Sequence, residues 1–210
     1  HNTQGAARPV TPAYDDTELL RQEAQQAAQQ NQQIADTLIA RNREARAKFG
    51  KGLLMAALGT ALIVCTGGAA AVVVGAALCT FAAADMSEAT QNHELAMSGD
   101  WSTQAENFLK EVIPEPAYSM IENGLIIAGS ILFAGPALAG KALMGAGINT
   151  GVEMAFDLIP DGKLDKSPMD YLNSFATSMM VFSLMGPLMT MEGCASPWAT
   201  FGRQYASGVA

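Results

Sequence analysis

The stretch GLLMAALGTALIVCTGGAAAVVVGAALCTFAAA, residues 52–84, decides the fold. It runs 33 residues without a charge, between Lys51 and Asp85. As one straight helix it would be about 50 Å long at 1.5 Å per residue, against roughly 30 Å for the hydrocarbon of a bilayer. A break is therefore expected, and Thr66-Gly67-Gly68 lies near the middle. The reading is a helical hairpin with arms over 53–65 and 69–84. Gly59, Gly67 and Gly75 recur every eight residues among alanines, so the two backbones can approach closely. Gly59, Gly67, Gly68 and Gly75 are the predicted seam of a glycine-zipper-like hairpin.

Outward from this stretch the charge returns abruptly. On its N-terminal side Arg41, Arg43, Arg46, Lys48 and Lys51 concentrate five of the twelve basic residues of the chain. Basic residues abutting an apolar segment are retained on the cytoplasmic or anionic-lipid side of a bilayer; the alternative reading is that they complement the C-terminal dipole of the preceding helix. That helix is predicted over 17–50, where Thr17 is a cap and Glu18 to Lys48 contains no Gly or Pro and many Ala and Gln. Its apolar residues are sparse, so it reads as a polar, solvated helix leaning on a partner or on its neighbours. Residues 1–16, with Gly5, Pro9 and Pro12, read as a loose arm. His1 stands where a start Met is expected, which suggests a processed piece or a segment of something longer, and no signal-peptide pattern is visible in the polar residues 1–50.

On the C-terminal side the helix continues through Asp85 and Glu88 to a turn at Ser98-Gly99-Asp100-Trp101-Ser102. A short helix is expected over 103–112, stopped by Pro114 and Pro116. Residues 123–140 are uncharged and interrupted by Gly135-Pro136, which reads as a second hairpin. A helix is expected over 141–158 and a turn at 159–163. Pro168 begins another helix, with Ser167 as cap and Asp170 in the first turn. Residues 172–191 are again uncharged and rich in Met, a soft apolar surface. The domain boundaries read from this are 1–16, 17–50, 51–192 and a linker or tail over 193–210.

Composition narrows the function classes. Half of the 210 residues are hydrophobic, only 15% are charged against a usual ~25%, and aromatics are only 7%, which favours close packing of helices. The net charge of −8 argues against phosphate-backbone binding, so no nucleic-acid partner is expected. Cys65, Cys79 and Cys194 form no CxxC pair, and no disulfide or metal framework is expected. His93, the only histidine besides His1, sits among Gln91, Asn92 and Glu94 and reads as a helix-end residue rather than a base. Gly135 to Lys141 matches seven positions of a Walker A loop, but Ala142 stands where Ser or Thr must hold magnesium. Asp157, Asp161, Asp165 and Asp170 surround Gly162, yet Ile159 and Pro168 occupy ligand positions of a calcium loop, so a solvated turn is preferred. No cofactor is predicted, and no base, nucleophile or metal set has a catalytic spacing.

A family resemblance attaches to particular residues. The Gly/Ala-rich hairpin, then Ala84-Asp85-Met86-Ser87-Glu88, then Ser98-Gly99-Asp100-Trp101-Ser102 and Asn107-Phe108-Leu109-Lys110, resembles the hydrophobic pretoxin region of bacterial polymorphic toxins. It looks most like the segment after the targeting domain of LXG-type toxins of type VII secretion. The stretch Gly147 to Gly151, with Asp165, Tyr171 and Phe175-Ala176-Thr177, is similar to the linker before toxin or Rhs-type modules. The resemblance covers about residues 50–185, and Asp85, Glu88, Gly99, Asp100 and Asn107 are its signature. It implies a secreted or delivered effector of interbacterial competition, shielded by a chaperone or by other regions of a larger effector before delivery.

Together these readings predict an all-α, non-enzymatic module that interacts with membrane lipid and helps deliver a cargo across a target membrane. The alternative expectation is a pore-forming toxin that depolarises that membrane.

Overall fold

A computed structural model describes residues 16–66, 68–161, 164 and 166–189. The fold is all-α: four helices, α1 (Asp16–Cys65), α2 (Ala69–Ser98), α3 (Glu115–Asp161) and α4 (Pro168–Met189), with no strand among the described residues.

The predicted hairpin is present, with longer arms than its apolar limits suggested. Its first arm is continuous with the polar helix, so α1 runs 50 residues, about 75 Å. The boundary expected at 50–51 is not a helix boundary. Gly50 and Gly52 sit inside α1, and Gly52 is a packing residue. A Cβ there would lie 2.7 Å from Met86 Cγ and 3.2 Å from the Ala82 carbonyl oxygen. Residues 18–33 of α1 are exposed all round, as their Ala/Gln composition predicts. α2 lies antiparallel to the remainder of α1, and pairings from Gly59 with Gly75 to Arg41 with Asn92 fix one uninterrupted register.

α2 ends at Gly99 in the left-handed conformation (φ 78°), with the Asp100 N–H donating to the Leu95 carbonyl. The short helix expected over 103–112 does not form. Residues 103–107 are irregular and a turn follows. The reason is local competition for backbone donors. The Glu106 N–H donates to the Gln91 side chain of α2, and the Asn107 side-chain oxygen accepts from the N–H groups of Leu109 and Lys110.

α3 is folded at Gly135 (φ 67°, ψ 172°), which divides it into two limbs. Asn123 of the first limb touches Met169 at 3.8 Å, and Asp157 of the second accepts from the Tyr171 hydroxyl at 2.6 Å. Residues 123 and 157 would be about 51 Å apart in a straight helix, yet both meet the start of α4. The chain doubles back at the break read from Gly135-Pro136, and Pro136 has no N–H to lose at the start of the new limb. α4 opens on a reciprocal cap: Asp170 accepts from the Ser167 N–H at 2.9 Å, and Ser167 Oγ accepts from the Asp170 N–H at 3.3 Å.

The core lies where the two hairpins meet. Met55, Leu58 and Leu62 of α1, Leu78 and Phe81 of α2, Tyr118 and Ile126 of α3, and Met180 of α4 are its buried members. Gly129 admits this contact, since a Cβ there would meet Leu78, Leu62 and Leu58 at 2.7 to 3.4 Å.

Candidate functional site

Two features of the bundle carry chemistry: a buried polar cluster between the hairpins, and apolar surface left on the outside.

The cluster starts from α1. One turn apart, Lys48 and Lys51 project towards the other helices, where an ammonium largely withdrawn from water needs a counter-ion. Lys48 Nζ lies 2.6 Å from Glu88 and 3.7 Å from Asp85, and Lys51 Nζ lies 2.8 Å from Glu122 and 3.5 Å from the Asn173 side chain. From the connection after α2, Asn107 Nδ2 donates to Glu88 at 2.7 Å, and Lys110 lies 3.5 Å from Glu88 and 2.9 Å from Glu115. Tyr118 completes the set by donating its hydroxyl to Asp85 at 2.7 Å, its ring 4.9 Å from that of Phe81. Asp85 is 1% and Glu122 4% exposed, so these are ionisable groups held out of water. Burial pushes the Lys110 ammonium down, but its contacts with Glu115 and Glu88 outweigh that and raise it above the usual lysine range.

Three of the five signature residues, Asp85, Glu88 and Asn107, thus meet in one cluster. The other two shape the end of α2. Gly99 provides the left-handed cap. The Asp100 carboxylate accepts from the N–H and hydroxyl of both Ser102 and Thr103. Those four donors hold Asp100 well below the usual carboxylate range. Arg41 ties the same turn to α1: it donates to the Asn92 side chain at 2.9 Å, to the Asp100 carbonyl at 2.8 Å and to the Thr103 carbonyl.

The basic cluster is therefore split. Arg43 and Arg46 are exposed, whereas Arg41, Lys48 and Lys51 are occupied by partners within the bundle. Of the four predicted seam glycines, Gly59 and Gly75 are in contact, Gly68 lies at the exposed start of α2 with open space around it, and Gly67 lies outside the described residues. Sequence reasoning missed Gly52, Gly129, Tyr118 and Glu122. Lys51 and Glu122 are 71 positions apart, so no local spacing announces the pair. The one available signal was that Glu122 interrupts an otherwise apolar run.

Many large apolar side chains are exposed among the described residues, and two groups of them share a turn or a helix face. At the α1–α2 turn Ile63, Val64, Val72 and Val73 are exposed. On the second limb of α3, Met144, Ile148, Val152 and Phe156 recur every four residues and are 48% to 69% exposed. The polar flank of that limb faces inward: Asn149 donates to Ser178 at 2.8 Å, Glu153 accepts from Ser174 and pairs with Lys166, and Asp157 accepts from Tyr171. Further along the same inward side Ala142 and Ala146 pack on Met179 of α4, while the larger apolar side chains point outward. Among the described residues three helical segments, in α1, α2 and the first limb of α3, are long and apolar enough to cross a membrane, with 28%, 39% and 33% of their most apolar stretches buried in the bundle.

The remaining motifs take structural places. Gly135 of the Walker-like segment is the fold-back residue, and Lys141 is exposed. His93 Nδ1 lies 2.9 Å from the Asn42 side-chain oxygen. Asp170 serves the α4 cap and Asp157 binds Tyr171, while the side chain of Asp161, Gly162 and Asp165 lie outside the described residues, as do Cys194 and the segments 1–15 and 190–210. Among the described residues no three His, Cys, Asp or Glu side chains gather to hold a metal ion.

Comparison with known proteins adds no relative: no family model, no curated protein and no solved structure matches the chain.

Proposed function

We propose that this chain is a membrane-interacting translocation module of a secreted bacterial polymorphic toxin, acting without catalysis to help a cargo cross a target membrane. The observation that carries the membrane part is the outward apolar row on the second limb of α3. Its polar flank is satisfied against α4, while Met144, Ile148, Val152 and Phe156 are left to a medium other than water. The toxin part rests on the resemblance over residues 50–185. The mechanism is a change of solvent. Apolar helices pack on one another, or on a chaperone, before delivery. They then exchange those contacts for lipid, at roughly 25 cal/mol per Å² of apolar surface in either place.

Liposome flotation together with dye leakage tests the reading. Flotation without leakage supports delivery, flotation with leakage supports a pore that depolarises the target, and no flotation from anionic or zwitterionic vesicles ends both.

A further inference from the structure

We propose that the α1–α2 hairpin is the element of this chain that enters lipid, and that it enters as a wedge: its turn reaches roughly 20 Å into the hydrocarbon, while Lys51 and Asp85, at the bases of its two arms, stay together on the side of entry. This rests on the membrane reading above, in which the row on α3 brings the chain to a bilayer surface. The hairpin then settles what goes in, how deep, and from which side.

Length and composition alone let either arm cross a bilayer. The pairing of the arms decides otherwise. Gly52 packs against Ala82 and Met86, so the charge-free stretches of the two arms begin at the same level, next to Lys51 on α1 and Asp85 on α2. From that level to the turn, residues 52–65 make about 21 Å of helix and residues 69–84 about 24 Å, short of the roughly 30 Å of hydrocarbon. A full crossing takes about twenty residues in each arm. Counted back from the turn, those would draw in Arg46, Lys48 and Lys51 on α1 and Asp85 and Glu88 on α2, which hydrocarbon rejects. No charge lies at the turn to anchor it on a far side.

Within that depth the side chains of the hairpin need no water. Its only hydroxyls are those of Thr60, Thr66 and Thr80, and each donates to the carbonyl four residues back in its own helix: Ala56 at 2.8 Å, Leu62 at 2.6 Å and Ala76 at 2.9 Å. Polar groups in hydrocarbon must be satisfied internally, and these three are. Gly59 and Gly75 close the seam by backbone contact, which apolar surroundings do not weaken. Beside the turn Val64 and Val73 are 74% and 69% exposed, so the leading end is already apolar. The other hairpin lacks these properties. Asn123 and Ser130 of α3 and Ser183 of α4 are buried with a side-chain oxygen that has no partner among the described residues, and Lys141 is exposed shortly after the fold-back at Gly135. On entry, acyl chains take the place of Gly129 of α3 against Leu58, Leu62 and Leu78. Arg43 and Arg46, exposed and outside the charge-free length, then lie at the level of anionic headgroups.

The test uses the full chain with Cys79→Ser and Cys194→Ser, so that Cys65, exposed at the turn, alone takes a nitrobenzoxadiazole label. Companion chains with Cys65→Ser added are labelled instead at Ala47→Cys on α1 or Ser87→Cys on α2, both exposed and outside the charge-free length. Each chain is floated with vesicles of phosphatidylcholine and phosphatidylglycerol, and iodide is supplied outside or trapped in the lumen as the quencher. Lipids carrying nitroxides along their acyl chains report depth. The expected result is a Cys65 label shielded from both sides and quenched by deep nitroxides, with the Ala47 and Ser87 labels both quenched from outside. A Cys65 label reached from the lumen, or Ala47 and Ser87 labels on opposite sides, means a crossing and overturns the wedge. A Cys65 label reached from outside on floated vesicles also overturns it but keeps the membrane reading, whereas absence of flotation removes both. A label already shielded in solution, before vesicles are added, puts a second copy on the turn and overturns lipid as its occupant. Val64→Lys with Val73→Lys changes only exposed side chains, so helicity and flotation should hold while the shielded fraction falls at least about tenfold. Shielding that survives both lysines overturns entry by the turn.

Discussion

A Cβ placed on Gly59 would lie 2.6 Å from the carbonyl oxygen of Gly75, and one on Gly75 would lie 2.6 Å from the carbonyl oxygen of Gly59. The relation is reciprocal and the obstacle is backbone on both sides. Gly59→Leu or Gly75→Leu must therefore move a helix rather than a side chain, at a cost of about 1–3 kcal/mol or more each. Thermal unfolding should show both single variants destabilised. The added leucines also raise apolarity, so if greasiness alone drives vesicle binding the double variant will bind as well or better. Weaker protease protection of residues 52–84 in liposomes is the outcome expected from a seam that must stay closed.

Charge reversal divides the basic cluster in two. Arg43→Glu with Arg46→Glu changes exposed residues, so stability should hold while binding to anionic vesicles weakens by up to about 1 kcal/mol per residue. Lys48→Met leaves Glu88 with Lys110 and Asn107 and Asp85 with Tyr118, and should cost up to about 3 kcal/mol in denaturant unfolding. Equal stability of the two variants would mean that Lys48 is not paired in solution as it is in the fold.

Asn107 supplies hydrogens to Glu88 and takes backbone hydrogens from Leu109 and Lys110 through its other side-chain atom. Asn107→Asp is nearly isosteric but can only accept, and it places a carboxylate against Glu88 and Asp85. A loss of about 2–4 kcal/mol is expected from like-charge contact plus the missing donor. Asn107→Ala, which adds no charge, should cost less. The reverse order, read from urea midpoints, would place the main contribution of Asn107 in its turn rather than in the cluster.

How far the sequence announced these arrangements depended on range. Residues 52–84 revealed their hairpin because length, charge and glycine spacing are local quantities, and Gly135-Pro136 and Ser167-Pro168 marked a fold-back and a cap for the same reason. The helix expected over 103–112 failed because Gln91, on another element, captures the Glu106 N–H. Propensity along the chain contains no such term. Lipid and the helix dipole are the only partners the sequence offers Lys48 and Lys51, because their true partners are distant in sequence; only the antiparallel pairing of α1 and α2 brings Asp85 and Glu88 opposite Lys48. Asp85, Glu88 and Asn107 form a pattern in the sequence, and what joins them in space is the Lys48 ammonium and the Asn107 amide, each against the same two carboxylates.

Asp100 gives a pH dependence of known sign. Hydrogen bonds from Thr103 and Ser102 favour its ionised form, so its folded value lies below the unfolded one. Its contribution is complete above the usual carboxylate range, near 4, and is lost as pH falls towards the lower folded value. Asp100→Asn should therefore be less stable than the parent at neutral pH, with the gap narrowing under acid. Parallel urea titrations at several pH values measure the gap. One that stays constant down to about pH 2 would assign the turn's stability to shape rather than to charge.

The outward face of α3 gives the sharpest separation between folding and function. Met144, Ile148, Val152 and Phe156 lie on the side of the limb away from its bonds to Ser178, Ser174 and Tyr171, and each is about half exposed or more. Replacing exposed apolar side chains by polar ones normally changes stability by less than about 0.5 kcal/mol. Entering lipid, the same side chains would each gain roughly 1.5–3 kcal/mol on full burial. Met144→Ser, Ile148→Ser, Val152→Thr and Phe156→Ser, combined, should therefore leave the unfolding midpoint near that of the parent and abolish flotation with vesicles. If flotation persists, this face is not the one that meets lipid, and the Ile63, Val64, Val72 and Val73 tip of the α1–α2 hairpin becomes the surface to change. If instead the variant unfolds, the limb is covered by a second copy in solution, and sedimentation of the parent chain will show an assembly larger than one molecule.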